Sequence, residues 1–446
     1  MSVFKKPKRN RISSFQIIVF GFAALILAGS LILMLPVSSK SGEFTPFKDT
    51  VFTATSAACV TGLVVKDTAT YWSYFGQAVI LILIQIGGLG VITVAASFAL
   101  IAGRKISLLE RYTMQNAISA TQVGGVVRMT VFIVRSSLII ELAGALAMMP
   151  AFIPKFGAKG IWMSVFHSIS AFCNAGFDLM GEASGKFSSL SAFSGDPLVV
   201  TVICLLILIG GIGFLTWDDA ATHKFRFKRY RMQSKTVLVI SAVIIAVPAL
   251  IFFLLDFKDL PAGERILRSV FQAVTPRTAG FSTVDFASMT GGGRMIIVIL
   301  MLIGGSSGST AGGMKTTTLG VLFGNAFSII RNKKNAELFG RRIEDSTVRT
   351  ATGIVTLYLV LSMAGTLLLG AIEGLPIGEC LFETVSAVAT VGLSLGITPD
   401  LKVASRVVLI ILMFIGRVGG LTVIFATVSR KKPQVAEMPV EKITVG

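Results

Sequence analysis

The chain has 446 residues, of which 53% are hydrophobic and only 14% charged, and its mean hydropathy is +0.80. Soluble domains carry roughly 25% charged residues, so this composition argues for an integral membrane protein. The formal net charge of +18 would suit a nucleic-acid binder, but its placement between apolar runs argues against that class.

Runs near the roughly 20-residue length that crosses a bilayer lie at 15–36, 74–102, 197–217, 236–255, 351–370 and 404–428. Weaker runs, with interior charges or glycine breaks, lie at 129–150 and 292–330. The first run and its basic leader KKPKRNR resemble a signal peptide, but the length and the missing A-x-A site before SSKSGEF argue against cleavage. Further bases cluster at 104–111 (RKISLLER), 224–235 (KFRFKRYRMQSK), 331–342 (RNKKNAELFGRR) and 430–432 (RKK). One topology puts every cluster on the cytoplasmic side. The remaining linkers hold more acids: Glu43, Asp67, Asp178, Asp196, Asp256, Asp259, Asp285 and Asp400. Eight spans with both termini in the cytoplasm satisfy this pattern. The cysteines (Cys59, Cys173, Cys204, Cys380) lack CxxC spacing, and only His167 and His223 could add imidazole ligands. Catalytic metal chemistry is poorly supported.

An internal repeat organises the spans. Four short apolar segments end in a glycine: SAACVTGL (56–63), SAFCNAGF (170–177), VTPRTAGF (274–281) and SAVATVGL (386–393). A phenylalanine precedes the glycine by ten residues in three copies (Phe52, Phe166, Phe382), and Phe271 stands one residue closer in the other. Each segment is followed by a span carrying a second motif: IGGLG (86–90), IGGIG (209–213), IGGSSG (303–308) and IGRVGG (415–420). About 12 residues are too few to cross. They can enter as a half-helix and return as extended backbone, which is tolerated at membrane depth only beside a watery pathway or within protein. The expected fold is all-α, with eight transmembrane helices in four M1–pore-helix–M2 repeats around a pseudo-fourfold pore. The repeats would occupy 1–104, 105–224, 225–334 (with a broken second span) and 335–446, the last including the C-terminal tail.

Rings of backbone carbonyls can replace the hydration oxygens of a cation without ionised side chains. Such backbone needs conformations that glycine tolerates. The half-helices would point their partly negative C-terminal ends at the pore centre. The expected ion ligands are the backbone of Val60, Thr61 and Gly62; Asn174, Ala175 and Gly176; Thr278, Ala279 and Gly280; and Thr390, Val391 and Gly392.

With these motifs in order, the chain resembles the Trk/Ktr/HKT superfamily of potassium transporters over residues 14–430, and is most similar to the bacterial Ktr membrane subunit. The resemblance implies potassium uptake across the bacterial cell membrane. In that superfamily glycine in the first strand goes with potassium and serine with sodium, so Gly62 implies potassium. It further implies a homodimer resting on a separate cytoplasmic ring that binds nucleotide and regulates the pore. The chain itself carries no cofactor; K+ is the transported ion, and Na+ is a candidate activator. The basic linkers could dock the ring or anchor to anionic lipid.

The segment GGSSGSTAGGMKTTTLG at 304 comes close to a phosphate-binding loop. Gly308 and Gly313 have the right spacing, but Met314 intervenes before Lys315, and the flanking strand and helix of a soluble α/β unit are missing. Its glycines each cost a helix about 1 kcal/mol relative to alanine, so the third repeat's second span should break here. The resemblance implies an intramembrane gate below the filter, comprising Gly304, Gly305, Ser306, Ser307, Gly308, Ser309, Thr310, Ala311, Gly312 and Gly313. Lys315 could anchor its end or repel cations, and close packing of small residues is the alternative role for the segment. In the fourth span Arg417 replaces the second glycine of IGG. A guanidinium there costs about 3 kcal/mol unless satisfied. The resemblance makes it an electrostatic barrier under the filter; the alternative is a structural arginine held by Glu383 or by loop carbonyls. Glu383, Arg277 and Asn174 read as braces of the filter, His167 as a packing residue, Arg135 and Glu141 as structurally paired with partners the sequence does not identify, and Cys59 and Cys173 as small spacers. No enzyme activity is expected. A pump would need a phosphorylation site, and a coupled carrier with alternating access usually has inverted rather than parallel repeats.

Overall fold

The computed structural model describes residues 13–102, 106–117, 125–427 and 441. The leader KKPKRNR, Arg104, Lys105 and the cluster at 430–432 lie outside these residues, as does the expected placement of both termini. Sixteen helices carry the description: α1 (Ser14–Met34), α2 (Phe47–Ala58), α3 (Tyr74–Leu89), α4 (Val91–Ile101), α5 (Val126–Phe156), α6 (Lys159–Phe172), α7 (Pro197–Gly211) and α8 (Phe214–His223). They continue with α9 (Met232–Leu255), α10 (Ala262–Val274), α11 (Gly291–Leu302), α12 (Thr316–Ile330), α13 (Asp345–Glu373), α14 (Ile377–Val388), α15 (Val403–Val418) and α16 (Gly420–Thr427). A short hairpin pairs Glu337–Leu338 with Arg341–Arg342 after α12.

Four helices, α1, α5, α9 and α13, are long and apolar enough to cross a membrane, and the bent pairs α3–α4 and α7–α8 bring the number to six. In each long helix only 22–33% of the most apolar stretch is buried, so most of its leucine and valine surface needs a hydrocarbon solvent. The helix that follows each of them is short, 12 to 14 residues, and has the opposite character. From Phe52 to Ala58 every residue of α2 is buried, and Phe52, Phe166, Phe271 and Phe382 are 0–1% exposed. The core therefore sits at the middle of the molecule, on the short helices, with the long helices outside.

The apolar runs at 74–102, 197–217 and 404–428 are not continuous helices, which corrects the expectation of one break in the third unit alone. Gly90, Gly213 and Gly419 have φ of 88°, 90° and 91° with ψ of 131°, 143° and 123°. This region is open to glycine and closed to residues with a Cβ. The bends at the first two are 93° and 96°. Apolarity alone does not reveal the breaks at Gly90 and Gly419, because the residues on both sides are apolar; only after Gly213 does the following helix turn polar, at Asp218 and Asp219. The expected interruption in the third run is present, as residues 303–315 between α11 and α12.

Side chains join helices distant in the chain. Arg406 on α15 bonds Asp49 on α2 at 2.6 Å, and also donates to Leu401 O at 2.9 Å and Pro399 O at 2.8 Å. Trp162 on α6 donates to Gln77 on α3 at 2.8 Å. Both partners of the Arg406–Asp49 pair are largely buried (13% and 6% exposed), so removing Arg406 leaves the Asp49 carboxylate with only the more distant Lys66, at 3.9 Å. Arg406→Leu should destabilise the fold by about 3–5 kcal/mol, and adding Asp49→Asn should restore part of the loss. Denaturation in detergent micelles checks this; losses that simply add would show that the pair is not coupled.

Candidate functional site

Each short helix ends in a strand with one conformation. The residue two before each glycine has positive φ: Val60 (56°), Asn174 (59°), Thr278 (66°) and Thr390 (53°). The glycines follow with φ of 95°, 69°, 77° and 90°. Three of the four non-glycine residues are β-branched, for which this region is a genuine outlier. Strain of order 1–3 kcal/mol per residue persists only where the surroundings over-determine it. They do so here. The N–H before each glycine returns to its short helix: Thr61 to Ser56 O (2.8 Å), Ala175 to Ser170 O (2.8 Å), Ala279 to Thr275 O (3.0 Å) and Val391 to Ser386 O (2.8 Å). The same residues' hydroxyls tie the strands again. Ser56 and Ser386 accept from the N–H groups of Gly62 and Gly392, both at 3.0 Å. Ser170 donates to Phe177 O at 2.7 Å, and Thr275 donates to Phe281 O.

The four strands converge in cyclic order. A Cβ on Gly62 would stand 2.6 Å from Ala175 O, one on Gly176 2.9 Å from Ala279 O, one on Gly280 2.6 Å from Val391 O, and one on Gly392 2.0 Å from Thr61 O. Each glycine thus abuts the carbonyl of the next strand, and the last returns to the first. All twelve expected filter residues are brought together, and all but the half-buried Gly392 are buried. A second close approach explains the repeated IGG. The first glycine of the pair lies against the carbonyl ending a short helix, with a Cβ on Gly87, Gly210 or Gly416 only 2.0 Å from Ala58, Phe172 or Val388 O.

Residues 303–315 lie against these ends. The broken helices leave terminal N–H and C=O groups without helical partners, and the segment takes several of them up. Ser306 N–H donates to Gly211 O (2.9 Å) and Thr310 N–H to Gly210 O (3.3 Å), while Gly308 O accepts from Phe214 N–H (2.6 Å) and Gly305 O from Thr316 N–H (3.0 Å). Thr310 Oγ1 reaches Phe172 O (3.0 Å) and Asn174 Oδ1 (3.3 Å). Hydroxyl pairs Ser306–Thr316 and Ser307–Thr317, each 2.9 Å, staple the segment to the start of α12. Ser309 Oγ donates to Ser306 O at 2.7 Å. Gly312 and Gly313 abut Thr390 and Ala389 of the fourth strand. Lys315 Nζ donates to Ala311 O (2.7 Å) and Gly312 O (3.3 Å). Arg417 donates from Nη1 to Thr310 O and from Nη2 to Gly87 O and, at 2.9 Å, Gly88 O.

The cation transport protein family TrkH matches residues 4–435. The chain belongs to that family. It is 40% identical to the potassium/sodium uptake protein NtpJ of Enterococcus hirae, with 100% of each chain covered. It is 38% identical to the Ktr system potassium uptake protein B of Bacillus subtilis, over 92% of each. In fold it resembles the crystal structure of the potassium transporter TrkH from Vibrio parahaemolyticus, with TM-score 0.74 at 20% identity, covering 95% of this chain and 87% of that one.

Other residues of this TrkH-family chain read from sequence fall as follows. Arg417 is held by carbonyls of the segment and of α3, not by Glu383, whose Oε1 accepts from Thr398 beyond the fourth strand. Arg277 donates to Ser241 at 3.0 Å, and its own carbonyl accepts from Asn174 Nδ2 at 3.2 Å. His167 bonds Met163 O through Nδ1 (2.7 Å) and accepts Leu179 N–H at Nε2 (3.3 Å). Glu141 meets Gln85, while Arg135 is exposed on α5. The hydroxyls of Ser56, Ser170, Thr275 and Ser386 lay inside the quoted motifs with no role read for them; their recurrence before each strand was the available signal. Beyond the glycines opens a cavity of about 400 Å³ whose walls include Asp67, Asp178 and Asp285.

Thr310 anchors the segment at one point through two acceptors. Thr310→Val should cost about 1 kcal/mol and raise amide hydrogen exchange over 304–313 several-fold, leaving α9 and α13 unchanged. Unaltered exchange there would mean that the backbone contacts alone hold the segment.

Proposed function

We propose that the chain is the potassium-uptake subunit of a Ktr/Trk-type system, passing K+ through one pore per chain. The observation that carries this reading is the closed ring in which each strand glycine abuts the next strand's carbonyl, because a cation leaving water needs a ring of backbone oxygens around it. In this reading the twelve strand residues Val60–Gly62, Asn174–Gly176, Thr278–Gly280 and Thr390–Gly392 form the filter. The arrangement is eight spans in four repeats (1–104, 105–224, 225–334, 335–446) about a pseudo-fourfold axis, set in the cell membrane with both termini cytoplasmic. The names of the relatives support K+ as the cargo, and the potassium/sodium name of NtpJ supports Na+ as a further participant. A homodimer on a nucleotide-binding cytoplasmic ring belongs to the same proposal, drawn from the family resemblance.

Residues 304–313 act as the gate and Arg417 as the positive barrier beneath the filter. What supports this is their joint position: the segment touches the second and fourth strands, and the guanidinium bonds the segment's Thr310 carbonyl. A loop held by neutral bonds of about 1 kcal/mol each and by charge-assisted bonds from Lys315 and Arg417 to its carbonyls, of about 1.5–3 kcal/mol each, can be released without breaking a buried ion pair.

Potassium, rubidium and sodium fluxes in liposomes test the reading. A Cβ at Gly62 intrudes on Ala175 O, so Gly62→Ser should lower the preference for K+ over Na+ by about tenfold or more, equivalent to about 1.4 kcal/mol. Deleting 306–311 should raise flux. Selectivity and rate indifferent to both changes would overturn filter and gate.

The cavity adds a pH dependence. Burial, with the Asp67 carboxylate nearby, pushes the Asp178 carboxyl up to about 7 against the pull of the Met180 N–H. A raised acid carries its charge above that value and loses it as pH falls. Flux driven from this side should therefore be about two- to threefold higher at pH 8 than at pH 6, through local cation enrichment. Asp178→Asn should flatten the profile; a persistent slope would place the titrating group elsewhere.

A further inference from the structure

Glu141 lies outside both the strand ring and the 303–315 segment, yet it is only 4% exposed within α5. An ionisable residue within a span is costly and rare unless it has a task. Its two carboxyl oxygens receive one amide, Gln85 Nε2, at 2.9 and 3.1 Å. Gln85 belongs to the last turns of α3, and two and three residues later stand Gly87 and Gly88, whose carbonyls receive Arg417. The same cluster borders the second strand. Cys173 Sγ lies 3.6 Å from Gln85 Oε1 and 4.0 Å from Glu141 Oε1, and the next residue, Asn174, bonds Thr310. Gly88 leaves no room on the remaining side, since a Cβ there would stand 2.7 Å from Cys173 Sγ. Ser168 on α6 fixes the height of α5 by donating to Glu141 O at 2.6 Å. Glu141 thus contacts, through Gln85, the end of α3 whose Gly87 and Gly88 carbonyls bond the guanidinium that also holds Thr310 O.

We propose that Glu141 is a positioning residue for the gate, acting through Gln85 and the Gly87–Gly88 carbonyls on Arg417. This rests on the reading of 304–313 as a gate. A carboxyl group suits the task because both its oxygens face the one Gln85 nitrogen and share its donor, which favours one rotamer of Gln85. A hydrophobic replacement would leave the half-buried amide without that partner, free to turn and to draw the α3 end with it.

Rubidium flux in liposomes tests it with Glu141→Leu, Glu141→Gln and Gln85→Leu, each made in the full chain and in the 306–311 deletion. In the full chain Glu141→Leu and Gln85→Leu should each raise flux at least threefold. Glu141→Gln, which keeps an acceptor for the amide, should stay within twofold of the unmodified chain. In the deletion background all three should have no effect, a dependence that a packing defect cannot mimic. Because Gln85→Leu perturbs the pair from the other helix, a folding failure of Glu141→Leu alone leaves the test intact. If the deletion raises flux while neither leucine variant does, or if both lower it equally in the two backgrounds, the positioning role is wrong and the gate stands. If the deletion itself changes nothing, the gate reading fails and this inference falls with it.

Discussion

The structure depends on one constraint: four extended strands must lie side by side in the middle of an apolar molecule with their carbonyls unpaired to one another. Unsatisfied backbone in such an interior costs several kcal/mol per group, and the strained residues Val60, Asn174, Thr278 and Thr390 add to that cost. The short helices exist to meet it. Each supplies a serine or threonine at one height, whose carbonyl takes the strand's N–H and whose hydroxyl bonds the strand again. The N–H before each glycine is thereby consumed by the short helix, and the carbonyl of that same residue is left to face the next strand's glycine. The glycines permit the final step, because only a residue without a Cβ can lie against the neighbouring carbonyl at these separations.

The broken helices answer the complementary problem. A helix that ended at membrane depth in contact with lipid would expose orphan carbonyls. Here those ends face inward, and the groups freed at Gly87, Gly88, Gly210 and Gly211 become the acceptors for Arg417, Ser306 and Thr310. The same break that bends α3 and α7 thus creates the sockets into which the third span's irregular segment fits. That segment needs its own glycines because it is clamped between the second and fourth strands, where Gly312 and Gly313 have no space for side chains.

This division explains which features were legible in the sequence. The long helices were, because hydrocarbon demands some twenty apolar residues and tolerates little else. So were the strands, since a glycine recurring behind a buried phenylalanine leaves a period that survives in one chain. The breaks at Gly90, Gly213 and Gly419 were not, although their glycines stood in the quoted motifs: at Gly90 and Gly419 two apolar half-helices and one apolar helix have the same hydropathy, and at Gly213 the polar residues begin only at Asp218, past the end of the apolar run. The bracing hydroxyls escaped for a different reason. Serine and threonine are common in membrane helices, and only the strand's return to the helix end reveals which of them bond backbone. Glu383 was read as a brace of the filter backbone; its nearest bond is to Thr398, one loop further on, a distinction invisible without the path of that loop.

The two cations of the site share a design that bears on how it moves. Lys315 and Arg417 are both satisfied by carbonyls and neither by a carboxylate. A buried ion pair would hold the segment rigidly, since separating its partners costs about 3–5 kcal/mol. It would also cancel the positive charge on which the proposed barrier role depends. Carbonyls do neither. They stabilise the charge as dipoles while leaving its field intact, and each can be exchanged for water or for another carbonyl at a cost of about 1.5–3 kcal/mol, below that of separating a buried pair. The acids within the membrane are correspondingly kept apart from these cations, Glu383 on Thr398 and Glu141 on Gln85. An arrangement that merely glued helices together would have paired them. Keeping opposite charges separate, each on neutral partners, is what a pathway needs if its barrier is to be both charged and movable.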